Sequence, residues 1–309
     1  MENSSLFQPG SPQAEAILWL FKVTMAFMAA ILLVVTSLVL YSAARFRARP
    51  GQPEPAQVAG NKRLELAWTA VPVLIVIYLT ILTIRGMSLS DPAVNRPADL
   101  VVTAHQFWWE VRYPKSGVVT ANEIHIPAGQ KMLLRLESAD VIHDFSVPKL
   151  ARKMDMIPGH PNFIWLESNQ PGIYLGQCAE YCGAQHAGMR FRVIAEPPEQ
   201  FAAWEQAQLA PAPKPATAEA ERGAELFRKM TCYNCHNIKG SGLNVQFGPD
   251  LTHLASRRSL AADVLENNRE NLARWLADPQ AIKPGTLMPN YRLTKEQVDD
   301  LTTYLETLK

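Results

Sequence analysis

The sequence predicts a multi-domain chain: a two-helix transmembrane hairpin, then an all-β domain, then an all-α domain. Three observations carry that reading. Two long apolar runs lie within the first 85 residues, whereas the remainder has ordinary polarity. Short segments of alternating polarity recur over residues 98–196. Beyond a Pro- and Ala-rich stretch, residues 219–309 carry apolar positions at helical spacing. At 309 residues the chain has room for about two domains. The 30 basic and 29 acidic residues nearly balance, and the absence of a polybasic segment speaks against nucleic acid as a partner.

Residues 1–97 form the N-terminal tail and hairpin. The first run, Ala16 to Ser42, holds one charge, Lys22, and exceeds the ~20 residues needed to cross a bilayer. It is too long for the apolar core of a signal peptide, and no Lys or Arg precedes residue 22, so a retained helix is expected. The second run, Leu66 to Ile84, also spans. Arg45, Arg47, Arg49, Lys62 and Arg63 lie between them, and the N-terminal tail has no basic residue. The positive-inside rule therefore places the connecting loop in the cytoplasm, with everything after Arg85 on the opposite face. In a bacterium that face is periplasmic or external, and membrane lipid is a partner.

In residues 98–196, LVVTAHQFWWEVRY, KMLLRLES, NFIWLES and MRFRVIA alternate as half-buried strands do, with Pro and Gly between them. An antiparallel sandwich or barrel is expected. Residues 197–218 read as a linker: EQFAAWEQAQ could form one helix, and APAPKPATA is semi-rigid. In residues 219–309, AERGAELFRKM, SLAADVLENNRENLARWLAD and TKEQVDDLTTYLETLK have helical periodicity, and Thr294 with Gln297 predicts the start of the last helix.

The four cysteines fall in two tight pairs, unlike a disulfide framework. GQCAEYCGAQHAGM places Cys178, Cys182, His186 and Met189 within twelve residues. Thiolates, imidazole and thioether together favour copper, whereas a zinc site would not recruit Met. A further ligand should come from another loop. His105, His125, His143 and His160 compete, and His143, in VIHDFSVP, is best placed. CYNCH, Cys232 to His236, is the signature of covalent haem c attachment, with His236 as proximal ligand. No further cysteine is left for a zinc site.

The copper loop, with HDFSVPKLARKMDMIPG upstream, resembles subunit II of cytochrome c oxidase over residues ~15 to 195, as in caa-type haem–copper oxidases. The resemblance implies a cupredoxin-like fold and the binuclear copper centre CuA. It implies that His143 and His186 give nitrogens, Cys178 and Cys182 bridge both coppers, Met189 is a weak ligand, and the carbonyl of Glu180 completes the set. It further implies that the Glu180 side chain helps bind Mg or Mn at the contact with subunit I, with Asp155 contributing through water. Met288 in GTLMPNY resembles the sixth haem ligand of class I cytochromes c, with His253 as rival. GPDL resembles the loop that orients the proximal imidazole through Pro249, and Trp275 and Tyr291 resemble haem-packing aromatics. Glu65, three residues before Trp68–Thr69, matches the family's proton-uptake position. The family's electron-receiving Trp is Phe107 here, followed by Trp108 and Trp109, so Phe107 and Trp108 are the electron-transfer candidates.

The expected role is that of a subunit of a respiratory cytochrome c oxidase, an oxidoreductase and translocase. Electrons would pass from a cytochrome c-type donor through haem c and CuA to subunit I, where oxygen is reduced to water. Subunit III is an expected further partner. No catalytic residue for oxygen chemistry is expected in this chain. The alternatives are the electron-input subunit of a copper-containing nitric oxide reductase, and a free membrane-anchored carrier or copper-delivery protein.

Overall fold

The computed structural model describes residues 7–54, 56–92, 96–240 and 247–309. The first six residues of the tail, which enter the orientation argument, lie outside the described residues.

Apolar length makes the first two elements. Helices α1 (Pro12–Arg45) and α2 (Lys62–Ser90) each exceed the span of a bilayer. Their large side chains point outward, with Leu32 and Leu33 69% exposed. A hydrocarbon surround satisfies that pattern, because a helix satisfies its own backbone and needs only apolar contact outside. Pro72 sits inside α2 and removes one of its backbone donors. Phe27 and Tyr78 meet edge to face at 5.9 Å between the two helices. Residues 15–90 form one unit.

The second unit contains the residues up to Ala14 and from Asp91 onward. Its first part is a sandwich of two five-stranded sheets. One sheet has the order β3 (Val118–Ala121), β2 (Trp108–Tyr113), β1 (Leu100–His105), β5 (Met132–Ser138), β8 (Asn162–Leu166). The other has β4 (Glu123–Pro127), β10 (Arg190–Glu196), β9 (Gly172–Cys178), β6 (His143–Ser146), β7 (Met154–Met156). The sheets are mixed rather than antiparallel, which corrects the expectation. β1 runs parallel to β5, and β4 parallel to β10. Alternation reports which face is buried and says nothing about a partner's direction.

Met189, Phe191, Val193 and Ala195 point into the core as the period of two requires. Ile194 points the other way and is still buried, because β10 also packs against the helix that follows it. The core centres on Trp109, Phe145 and Phe191, with Phe191 ring centres 4.8 Å from each of the others. Gly176 is required there: a Cβ would meet the Phe191 ring at 2.3 Å. The start of the chain is tied to this domain. Gly10 N–H donates to Lys149 O at 2.8 Å, and Ser11 Oγ caps Ala14 N–H while donating to Leu150 O.

Helix α3 (Pro198–Leu209) lies in the expected linker but is not a free spacer. Trp204 stacks on His125 at 4.0 Å, and Phe201 and Trp204 pack on Tyr113. At its last turn, Lys239 Nζ donates to Leu209 O at 2.7 Å, and His253 Nε2 faces Gln208 O at 3.0 Å. One short helix is thereby fastened to both soluble domains.

The C-terminal domain contains α4 (Ala218–Lys229), α5 (Arg269–Ala277), the short α6 (Pro279–Ile282) and α7 (Lys295–Leu305). Thr294 and Gln297 form a reciprocal capping box at the start of α7. Helices α4 and α7 cross at Gly223, where a Cβ would meet Asp300 O at 2.1 Å. The expected helical segment SLAADVLE is instead two short strands, β11 (Ser259–Leu260) and β12 (Leu265–Glu266). Between them Ala261, Ala262 and Asp263 are left-handed, at φ 55°, 60° and 61°. Such residues cost about 1–2 kcal/mol each, so packing must override local preference.

Candidate functional site

The copper-motif residues meet at one end of the sandwich. β9 ends at Cys178, β10 begins at Arg190, and the loop between them carries Glu180, Cys182, His186 and Met189. β6 lies beside β9 and starts with His143, which brings that histidine to the loop. Cys178 Sγ is 3.8 Å from Cys182 Sγ, 3.8 Å from His143 Nδ1 and 3.2 Å from Glu180 O. Cys182 Sγ is 3.8 Å from His186 Nδ1 and 3.8 Å from Met189 Sδ. Two sulfurs therefore lie between two imidazole nitrogens, with a thioether and a carbonyl at the sides. Among the described residues, His143, Cys178 and Cys182 are the one cluster of this kind whose ligand atoms lie within 4.8 Å of one another. Of the four competing histidines, only His143 is there. His125 faces Glu196, His105 stacks on Trp108, and His160 is exposed.

Neighbours orient the donors. Asp140 Oδ1 accepts from His143 Nε2 at 2.7 Å, which leaves Nδ1 turned toward sulfur. Burial lowers the His143 pKa, but Asp140 and Cys178 outweigh it and the net direction is up. The two thiols are coupled. The hydrogen bond from Cys182 favours the Cys178 thiolate and pulls its pKa down, and that same interaction pushes Cys182 up. One thiolate forms readily, and the second needs a cation beside it. The donor set is soft and exceeds what zinc takes, so the residues fit copper. Nearby, Asp144 is buried with both carboxylate oxygens unpartnered. Burial, then Asp155 opposite it, raises its pKa to about 7.

CYNCH forms a short turn after α4 that faces a cavity of about 310 Å³. Cys232, Cys235, His236, Met288, Trp275 and Tyr291 line it. His236 Nδ1 donates to Pro249 O at 2.8 Å, which leaves Nε2 for a metal. Burial lowers the His236 pKa and favours the neutral, ligating imidazole. At Gly248 a Cβ would meet His236 Cε1 at 2.8 Å, so this position leaves the imidazole its room. Arg257 also lines the cavity, buried, with Nε unpartnered. A buried guanidinium with a spare donor suits a carboxylate of the kind haem carries. The residues fit haem c. His253 does not line the cavity, and both its ring nitrogens face carbonyl oxygens, of Lys309 and Gln208.

Three family models match: the transmembrane domain of cytochrome c oxidase subunit II over residues 2–85, its periplasmic domain over 111–196, and cytochrome c over 220–309. Cytochrome c oxidase subunit 2 of Alkalihalophilus pseudofirmus is 36% identical over 316 residues, covering 100% of this chain and 92% of that one. The chain belongs to the cytochrome c oxidase subunit II family. Cytochrome c oxidase subunit 2 of Bacillus sp. (strain PS3) is also 36% identical, covering 85% of this chain and 80% of that one. The periplasmic domain of subunit II of cytochrome oxidase from Bradyrhizobium japonicum is 29% identical, covering 37% of this chain and 95% of that one at a TM-score of 0.35. Membership in the subunit II family, with the cytochrome c domain attached, supports electron input to a haem–copper oxidase, anchoring in a membrane and partnership with subunit I.

Within this subunit II chain the remaining expected residues are dispersed. Glu65 lies in the first turn of α2, and Thr69 Oγ1 donates to its carbonyl at 2.8 Å. The Glu180 and Asp155 side chains are exposed. Phe107 and Trp108 are buried and line the cavity beside CYNCH from the β-domain side. The sequence reading missed Asp140, Gln106, Arg257 and Lys283. Only Asp140, three residues before His143, had a signal in its position.

Proposed function

We propose that this chain is the electron-input subunit of a proton-translocating terminal oxidase. It takes electrons from a cytochrome c-type donor and delivers them to subunit I, where oxygen is reduced to water. The observation that carries this reading is the set of six donors that includes Cys178 and Cys182, with sulfurs 3.8 Å apart and an imidazole beside each.

Cys178 and Cys182 would bridge two coppers as CuA, with His143, His186, Met189 and the Glu180 carbonyl completing the cage. Cys232 and Cys235 would hold haem c through thioethers, with His236 and Met288 as axial ligands. When bound, these groups supply two one-electron redox stations. The protein's part is to hold the donors still: Asp140 fixes His143, and Pro249 fixes His236. Met288 lies in the cavity and His253 has no free nitrogen facing it, which supports Met as sixth ligand.

The exposed carboxylate of Glu180 would help hold Mg or Mn against subunit I, with Asp155 contributing through water. Glu65 would gather protons at the cytoplasmic end of α2, since the basic loop before it belongs on that side. The soluble domains then face the periplasm or exterior, and subunit III and lipid complete the setting.

Gentle detergent purification tests the reading. Two coppers and one covalent haem per chain should co-purify with a large haem–copper subunit and support oxygen uptake from reduced cytochrome c. A chain purified alone without copper would refute it, and reduction of nitric oxide instead of oxygen would assign the partner to the other class.

A further inference from the structure

The seam between the two soluble domains is made of buried polar groups, and Lys283 is central to it. Lys283 follows α6 and is 2% exposed. Its Nζ donates to Phe107 O at 2.8 Å and to Ala261 O at 2.9 Å. Burial brings its pKa down to about 7. The amine offers two N–H bonds when neutral and three when charged, so it can serve both carbonyls in either state. Elsewhere in the seam, the buried Glu123 carboxylate accepts from the N–H groups of Arg258 and Ser259 at 2.7 and 3.0 Å. Asp263 accepts from Arg192 Nε at 2.6 Å, and Ala262 packs on Trp108. The left-handed run Ala261–Asp263 therefore ends up wedged against the β-domain. A buried polar group without its partner is costly, so these contacts fix one arrangement rather than several.

The loop that receives Lys283 is also a wall of the haem cavity. Gln106, Phe107 and Trp108 line it opposite His236 and Met288. From that wall Gln106 Nε2 donates to Cys182 O at 2.6 Å. The Phe107 ring lies against Gly183, where an added Cβ would stand 3.2 Å from it. Trp108 is turned instead toward His105, on which it stacks at 4.3 Å.

We propose that Lys283 is a positioning residue for electron transfer within the chain, clamping the haem cavity onto Gln106–Phe107 so that the path to copper runs through the Gln106–Cys182 hydrogen bond. This rests on the haem and copper occupancy proposed above. The step moves one electron from ferrous haem iron, which becomes ferric, to the oxidised copper pair, with no bond made or broken and no proton transferred.

The test is Lys283→Met in the intact oxidase, which keeps side-chain length and removes both donors. Pulsed EPR on the oxidised enzyme should show a broadened distance distribution between the two paramagnetic centres. Reduction of copper by pre-reduced haem should slow several-fold. Reduction of copper by a small-molecule reductant should keep its rate. A wild-type distance distribution together with a wild-type transfer rate overturns the proposal. If Lys283→Met does not assemble, the same readouts on Lys283→Gln decide, because the shorter amide keeps a polar group in the seam but cannot span both carbonyls as the amine does. Unchanged values there also overturn it. A wild-type enzyme lacking copper or haem signals would instead overturn the functional reading, and that is seen before any substitution is made.

Discussion

Asp140 and His143 share a hydrogen bond of 2.7 Å that turns the imidazole so that Nδ1, not Nε2, faces Cys178. The same carboxylate accepts from Gln106 N–H through its other oxygen at 2.6 Å. One side chain thus orients the proposed copper donor and the loop walling the cavity beside CYNCH. Asp140→Asn keeps the shape and weakens the acceptor. We expect copper affinity to fall by about 10–100-fold, read by copper retained against a competing chelator. An unchanged affinity would mean that backbone alone holds His143.

Met288→Ala should remove the thioether from the haem cavity. The ferric haem spectrum should lose the weak thioether-to-iron band, and the midpoint potential should fall, because Met ligation raises it. Persistence of that band would place the sixth ligand elsewhere.

Gly223→Ala probes the crossing of α4 and α7. Its Cβ would overlap Asp300 O and approach Tyr304 Cβ at 2.7 Å. Overpacking of this kind costs about 3 kcal/mol. Denaturant unfolding of the purified chain, followed through the haem absorption, should show the midpoint fall. The copper absorption should be lost at its original denaturant concentration.

Asp99→Asn gives a pH-dependent effect. Burial raises the Asp99 pKa, but Arg96, Lys115 and the Leu133 N–H outweigh burial and hold it at about 2, below the ordinary 3.8. A depressed carboxyl contributes stability that is complete above its unfolded pKa and is lost as pH falls through the folded one. The variant should therefore be less stable by about 1–2 kcal/mol at neutral pH. The gap should narrow below pH ~4 and close near pH 2. Thermal melts across that range measure it, and a gap independent of pH would assign the loss to packing.

Much of the architecture was legible because it rests on periodicity and on ligand chemistry. Met189, Phe191, Val193 and Ala195 alternate, and all four are buried. Cys178, Cys182, His186 and Met189 are close in sequence, so their meeting needed only one loop. What failed depended on distant partners. The SLAADVLE segment has helical spacing, yet Ala262 is held by Trp108 and Arg190, far away in sequence. The direction of β1 against β5 is set by how the chain crosses over, which alternation does not record. Nothing local in the sequence marks Lys283 or Glu123 as buried, because it is another domain that covers them.

Helix α3 is fastened to the β-domain through Trp204 and to the cytochrome domain through Gln208 and Leu209. A carrier mounted in this way does not diffuse away and return. With haem and copper held as proposed, exchange between them would be unimolecular, without an encounter complex to form and without an association rate for salt to slow. Any ionic-strength dependence of turnover would then belong to the arrival of the proposed external donor, and the internal hand-over would keep the same half-life at every protein concentration.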